Sequence, residues 1–416
     1  MRASIIALTV LVFSAFASAD NWPFFRGPSR TGVSSESSAP TAWGVDKNIK
    51  WKVPLPSPGN SSPIVWGDRV FLTCAENAKG TERSLYCFSR ADGRVMWVKT
   101  VRYEKKEATH ETNPYAASSP AADAQRVVVW HGSAGVYCYD HNGAELWHRD
   151  LGTFSHIWGY ASSPLIVEDS IFMNCGPGNR TFVTALDAKD GHTIWETPEA
   201  GGADDKSPET KSWIGSWSSP VPVTMDGKQQ ILVALPRHVN AYDPGSGKIL
   251  WYCEGNGDLS YTDPLVSDGI GVYLSGFGGP AIGFKLGGSG NVTATNRLWR
   301  DANKIPQRIG TGVIIGPNLY QICEPGIIQC VEAATNKELW KTRPEGETFW
   351  GSMVAAGNQI YVTSQRGNTI VFAADPKEFR LIAKNSLGER TNSTPAISNG
   401  QIFIRTAGQL WCVEEK

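Results

Sequence analysis

Side chains able to do chemistry gather in the irregular segments of this 416-residue chain, between its regular repeats. The stretch 101–117 carries His110, Glu111, Asn113 and Tyr115, and 156–160 carries His156, Trp158 and Tyr160. The stretch 197–217 carries Asp204-Asp205-Lys206 and ends on Trp213 and Trp217. Asp263, Gln307-Arg308, Trp350 and Arg390 sit in shorter segments. Aromatic rings mixed with amides, carboxylates and guanidinium groups suit recognition of a planar or sugar-like ligand. Glu111 and Asp263 form an acid–base pair only if the fold brings them together. His110 and His156 stand alone, without metal-ligand spacing, so hydrogen bonding is the expected role and no metal is assigned. No chain order points to a Ser-His-Asp triad, and no glycine-rich loop leads into a helix to cradle phosphate. No catalytic residue is assigned. For Trp158, Tyr160, Trp217 and Trp350 the plainer expectation is that they plug a central channel.

The segments between these loops repeat. Ser-Ser-Pro recurs at Ser62-Pro63, Ser119-Pro120, Ser163-Pro164 and Ser219-Pro220. Weaker copies stand at Thr262-Asp263-Pro264, Gly310-Thr311-Gly312, Gly351-Ser352-Met353 and Ser393-Thr394-Pro395. Each copy is followed by short apolar runs and then by Asp-x-x-x-Gly-x-x-x-Trp or a relic of it. The closing tryptophans Trp97, Trp147, Trp195, Trp251, Trp299 and Trp340 lie 41 to 56 residues apart. Such a period, built from short strands, predicts propeller blades of four antiparallel strands. Proline is tolerated where it starts an inner strand, and the glycine supplies the positive φ of a tight turn. The seventh repeat has lost glycine and tryptophan around 376–383. The eighth stops after Leu410-Trp411-Cys412-Val413, whereas Asp46 to Trp51 reads as a fourth strand with nothing before it. The fold expected is all-β: an eight-bladed β-propeller closed by an N-terminal strand that completes the last blade. Seven blades plus an insertion is the alternative.

Residues 1–19 read as a signal peptide, with Arg2, the apolar run Ile5 to Phe16 and Ala17-Ser18-Ala19 before Asp20. Residues 20–44 form a leader, rich in aromatic and basic groups, expected to pack on the ring; ligand contact by Arg26 or Arg30 is the lesser reading. Residues 45–416 form the propeller. A net charge of −1 and 19% charged residues argue against a nucleic-acid surface. No later apolar run is long enough to span a membrane, so a soluble, exported monomer of the periplasm or envelope is expected. Cys87, Cys138, Cys330 and Cys412 share one third-strand slot with Ala185 and Ala241, a small buried position. Buried thiols are the default, with Cys74–Cys87 and Cys323–Cys330 as alternative cross-strand bridges.

The unit Ser-Ser-Pro … Val-Tyr-Cys-Tyr-Asp-x-x-Gly-x-x-Leu-Trp resembles the pyrroloquinoline-quinone-type (PQQ-like) propeller repeat over nearly all of the mature chain. The leader from Trp22 to Gly32 looks like that of exported single-propeller members of planctomycete type. The resemblance implies two functional branches. Quinoprotein dehydrogenases bind the quinone on the axis between a tryptophan and adjacent cysteines, with calcium held by acidic and amide groups. This chain has neither adjacent cysteines nor a haem-attachment motif, although Trp158, Trp217 or Trp350 offers a stacking face. The other branch is a scaffold for outer-membrane β-barrel assembly that binds protein, typically as a lipoprotein, and no lipobox cysteine follows Ala19. The expectation is a non-enzymatic binding or scaffold propeller that recognises an envelope protein or small ligand at its axial face, with no cofactor. A PQQ- and calcium-dependent alcohol or sugar dehydrogenase is the alternative, and a glycan-binding or glycan-processing propeller the second.

Overall fold

The computed structural model describes residues 20–178, 180–199, 212–302, 308–344 and 346–415. Residues 1–19, expected to be a signal peptide, Asp204-Asp205-Lys206 and Gln307 lie outside them. Eight antiparallel sheets follow one another around an axis, each with four strands ordered from the axis outward. In the second blade these are Ala121–Ala122, Arg126–Trp130, Val136–Asp140 and Glu145–Arg149. The fourth blade gains a fifth, parallel strand, Gly290–Asn291. The eroded seventh repeat is a full blade, Val354–Ala356, Gln359–Thr363, Asn368–Ala373 and Leu381–Ser386, so the seven-bladed alternative fails. The eighth blade pairs Gln409–Glu414 with Ile49–Pro54, which sets Trp51 opposite Cys412. Closure in this way leaves no open edge between first and last blades.

One packing rule recurs at the rim. Each outer-strand tryptophan lies directly across from the small third-strand slot: Trp97 from Cys87, Trp147 from Cys138, Trp195 from Ala185, Trp251 from Ala241 and Trp340 from Cys330. In the fifth blade the slot is Gly283, where a Cβ would sit 2.2 Å from the Trp299 indole nitrogen. The seventh blade trades both partners at once, with Val371 facing Ala383. The slot is small because an indole covers it.

Trp251 Nε1 bonds within its own blade, to Gln230 Oε1 (2.9 Å), but the other outer-strand indoles seal blade to blade. Trp51 Nε1 donates to Arg90 O (2.8 Å), Trp97 to His141 O (3.0 Å), Trp147 to Ala188 O (3.1 Å), and Trp195 to Pro244 O (2.8 Å). Each acceptor belongs to the turn between third and fourth strands of the next blade. The turn glycine then lies under the previous blade's ring: a Cβ on Gly191 would stand 2.5 Å from Trp147, and one on Gly247 2.4 Å from Trp195. Both also take positive φ, +75° and +69°. Glycine is therefore required twice, by conformation and by the neighbour's indole.

All eight cysteines are buried free thiols. The expected alternative bridges fail on register: Cys74 faces Ser84 while Cys87 faces Phe71, and Cys323 faces Ile327 while Cys330 faces Tyr320. Burial pushes the Cys74 thiol up to about 11 and Cys138 up to about 12, so these are packing groups rather than nucleophiles. No helix among the described residues is long and apolar enough to cross a membrane.

Candidate functional site

The second residue of every Ser-Ser-Pro copy forms a closed cycle around the axis. Its backbone N–H donates to the side-chain oxygen of the corresponding residue in the next blade. Ser62 donates to Ser119 (2.8 Å), Ser119 to Ser163 (3.0 Å), and Ser163 to Ser219 (3.1 Å). Ser219 donates to Asp263 (2.6 Å) and Asp263 to Thr311 (3.0 Å). Thr311 donates to Ser352 (3.0 Å), Ser352 to Thr394 (2.9 Å), and Thr394 back to Ser62 (3.0 Å). In the six blades where proline follows, this N–H is the last before the inner strand; in the sixth and seventh, Gly312 and Met353 stand there instead. The repeat displayed these eight residues, but period alone does not say that they bond to one another.

Asp263 is the one carboxylate in the cycle, and the leader answers it from the opposite face. Arg26 and Arg30 are fully buried. Arg26 donates to Thr311 O (3.0 Å), Met353 O (3.3 Å) and Gly312 O (2.6 Å); Arg30 donates to Ser163 O (3.2 Å) and Pro164 O. Burial brings both guanidinium groups down to about 10, with Asp263 opposing the fall, so both stay charged at neutral pH. Burial pushes the Asp263 carboxyl up, against the pull of Arg30, the Ser219 N–H and Arg26. The leader is further fixed by paired Trp22–Val65 backbone bonds (2.9 Å each) and by Ser34 N to Ala355 O (2.7 Å). It closes the channel from below.

Above this floor opens a cavity of about 1010 Å³. Phe25 of the leader and the ring residues Ser119, Ser163, Ser219, Asp263, Thr311, Ser352 and Thr394 form its base. One side is aromatic, from the loops entering blades three to five: Trp158, Trp213, Trp217 and Tyr261; Trp350 stands apart, on the loop entering blade seven. Trp158 lies 5.7 Å from Trp213 and 6.0 Å from Trp217, and Trp217 lies 5.1 Å from Tyr261. The other side carries Asn60, Asn113 and Asn392 with His110, from the loops entering blades one, two and eight. Asn113 Nδ2 spans the two sides, donating to Trp158 O (2.8 Å) and Tyr160 O (3.1 Å).

Seven of the sequence-selected residues thus line one cavity: His110, Asn113, Trp158, Trp213, Trp217, Asp263 and Trp350. Six do not. Glu111 and Arg390 are exposed, and Glu111 makes no pair with Asp263 in the buried floor. Arg308 is buried, reaching Gly279 O (3.4 Å). His156 sits behind the aromatic side, 4.9 Å from the Trp217 ring. Tyr115 and Tyr160 belong to an anchor beneath the 101–117 loop, where Arg83 stacks on Tyr115 (4.8 Å) and pairs with buried Glu107 (2.5 Å). Glu107 also accepts from Ser133 N and Oγ (3.0 and 2.8 Å). Trp158 and Trp350 do not plug the channel; they stand half-buried at its wall, while the leader fills its lower end. Asn60 and the hydroxyl ring went unselected, because serines and asparagines carry no signal until the axis is known.

Two measurements check this account. Asp263→Ser installs the residue type found in the other blades, yet leaves two buried arginines without their carboxylate; we expect a loss of about 3–5 kcal/mol in urea unfolding. A change near zero would show that backbone carbonyls alone balance the arginines. Burial also brings His156 down to about 4, and burial with Arg83 brings His131 down to about 3. Both are neutral when folded, so their contribution is complete above the unfolded value near 6.5 and is lost as pH falls towards 4. Unfolding free energy should drop from pH 7 to 5, with a shallower slope in His156→Phe; an unchanged slope in that variant contradicts the assignment.

A family model described as outer membrane protein assembly factor BamB matches residues 29–173, 81–254, 179–296 and 324–415. The structure of BamB from Moraxella catarrhalis superposes with a TM-score of 0.61 at 14% identity, covering 88% of this chain and 96% of that one. A quinohemoprotein alcohol dehydrogenase from Comamonas testosteroni gives 0.67 at 12% identity, covering 96% and 81%. A polyvinylalcohol dehydrogenase from Pseudomonas sp is 25% identical over 165 residues, 36% of this chain and 24% of that enzyme. At these identities the structural likenesses establish the fold, and the family match covers most of the chain: this protein belongs to the PQQ-like β-propeller family described by the assembly factor BamB.

Proposed function

We propose that the protein is an exported, non-catalytic binding propeller of the cell envelope, whose axial cup takes a ligand offered as a small molecule or by a partner protein. The observation that carries this reading is the cup itself: a floor locked by hydrogen bonds and the leader, aromatic on one side and amide-lined on the other. A pre-formed concave site with a few placed polar groups is what recognition needs. Membership of a family described as an assembly factor supports a partner-binding role.

The rival reading, a PQQ-dependent oxidoreductase, draws on the dehydrogenases of similar fold. PQQ carries three carboxylates and therefore asks for cations around it. No lysine or arginine is among the described residues that line the cup. Arg26 and Arg30 lie under the floor, Arg26 and the Nη2 of Arg30 bonded to backbone carbonyls. The metal-type cluster found among the described residues, Asp187, Asp190 and His192, stands on an outer hairpin, away from the axis. The donor set does not fit the quinone.

Titration of the mature protein with PQQ and calcium separates the readings. We expect no rise in melting temperature, no change in quinone absorbance and no dye-linked oxidation of alcohols or sugars. A saturable melting shift with turnover would overturn the proposal.

A further inference from the structure

Building on that binding role, we propose that the axial cup takes a neutral, hydroxyl-rich chain of the oligosaccharide type, its C–H faces laid against the tryptophan side. The charge pattern selects a neutral ligand. Two carboxylates line the cup, and both have countercharges outside it: Asp258 pairs with Arg237 (2.8 Å), and Asp263 lies in the field of Arg30 and Arg26. An anion meets no cationic side chain among the described lining residues. A cation meets carboxylates already balanced. No cationic side chain among the described lining residues awaits an anion, and the one carboxylate oxygen without a hydrogen bond, Asp263 Oδ2, is buried in the field of the two leader arginines.

The polar pattern selects hydroxyl groups. Apart from Ser219, whose hydroxyl bonds to the Asp263 carboxylate, each ring hydroxyl spends an acceptor lone pair on the neighbouring blade's N–H and keeps its own proton, so the floor presents donors. Across the cup, Asn60 Nδ2 is used on Thr112 O (2.8 Å) and Asn113 Nδ2 on Trp158 O and Tyr160 O. That bonding leaves Asn60 its amide oxygen, an acceptor. Thr112 N–H donates to His110 Nδ1 (3.3 Å), with Thr112 Oγ1 at 2.8 Å from the same nitrogen, so Nε2 of the neutral ring carries the proton and offers the cup a donor. Donors on the floor and on His110, with the Asn60 acceptor across from them, are all answered by a group that accepts and donates at once, and a hydroxyl does this. A flat aromatic ligand satisfies the indoles but leaves the floor and amides facing apolar edges.

Size and exit agree. At about 1010 Å³ the cup stands at the top of the roughly 300–1,000 Å³ range of small-molecule sites, room for several sugar rings. Phe277, 64% exposed, extends the aromatic side at the cup's mouth on the loop 275–280. A chain stacked on the half-buried rings of Trp158 and Trp213 has a further ring to meet on its way to solvent.

The test uses the mature protein with neutral cellohexaose, xylohexaose and N-acetylchitohexaose, anionic oligogalacturonate, and cationic deacetylated chitohexaose. Tryptophan emission and calorimetry report binding. We expect at least one neutral probe to bind saturably, to shift tryptophan emission and to raise the melting temperature, with the charged probes weaker. Trp158→Ala and Trp350→Ala, both at half-buried positions, should each weaken binding by about tenfold or more, as loss of a stacking face does. Asn392→Ala supplies a variant outside the aromatic side should a tryptophan variant unfold, and it too should weaken binding. Failure of all three neutral probes, or tighter binding of a charged one, overturns this ligand class while leaving the binding role intact. Quinone-dependent turnover would instead overturn the binding role itself.

Discussion

A cycle of eight hydrogen bonds around the axis holds the inner ends of all eight blades in register. An ordinary hydrogen bond contributes about 0.5–1.5 kcal/mol net, so no single link decides the fold. Their closure does the work: each residue donates from its backbone and accepts on its side chain, and displacing one blade disturbs two neighbours. The link into Asp263 is the shortest, 2.6 Å, as expected when the acceptor carries charge. That charge also explains the leader, whose two arginines are carried to full burial where only a carboxylate and a set of carbonyls make burial tolerable.

The molecule divides its labour by radius. At the rim, indole, small slot and turn glycine form a seal that repeats with little variation and leaves little for function. At the centre, the hydroxyl cycle and the leader build a floor. Between them, the loops entering the inner strands vary freely, and there the aromatic and amide sides of the cup arise. The fold shared with BamB and with quinohemoprotein alcohol dehydrogenases is compatible with binding and with redox chemistry alike. Discrimination comes from the lining, and here it is aromatic, amide and hydroxyl, with charges balanced from outside.

The sequence made the blades legible because each carries its own indole, glycine and strand starter, and because the last blade's missing strand sat at the other end of the chain. Even the loss of Trp in the seventh repeat was paired with a larger slot residue, Val371 opposite Ala383. The site was legible in part. Large rings in entry loops announced themselves, and Trp158, Trp213, Trp217 and Trp350 do face the cup. Tyr160 and His156, chosen for the same reason, turned outward from it, since one residue's shift in a loop changes which side chain reaches the axis. The cysteine bridges misled because sequence proximity does not fix register. Asn60, the hydroxyl cycle and the arginine floor were invisible, each depending on residues brought from distant blades.

The central claim is that the cycle is one cooperative structure forming the floor of the axial cup. Native-state hydrogen exchange at the amides of Ser62, Ser119, Ser163, Ser219, Asp263, Thr311, Ser352 and Thr394 tests it most directly. The account predicts that all eight exchange slowly, with similar protection close to that of global unfolding. Eight unrelated protection levels, with some ring amides opening as fast as surface turns, would contradict it.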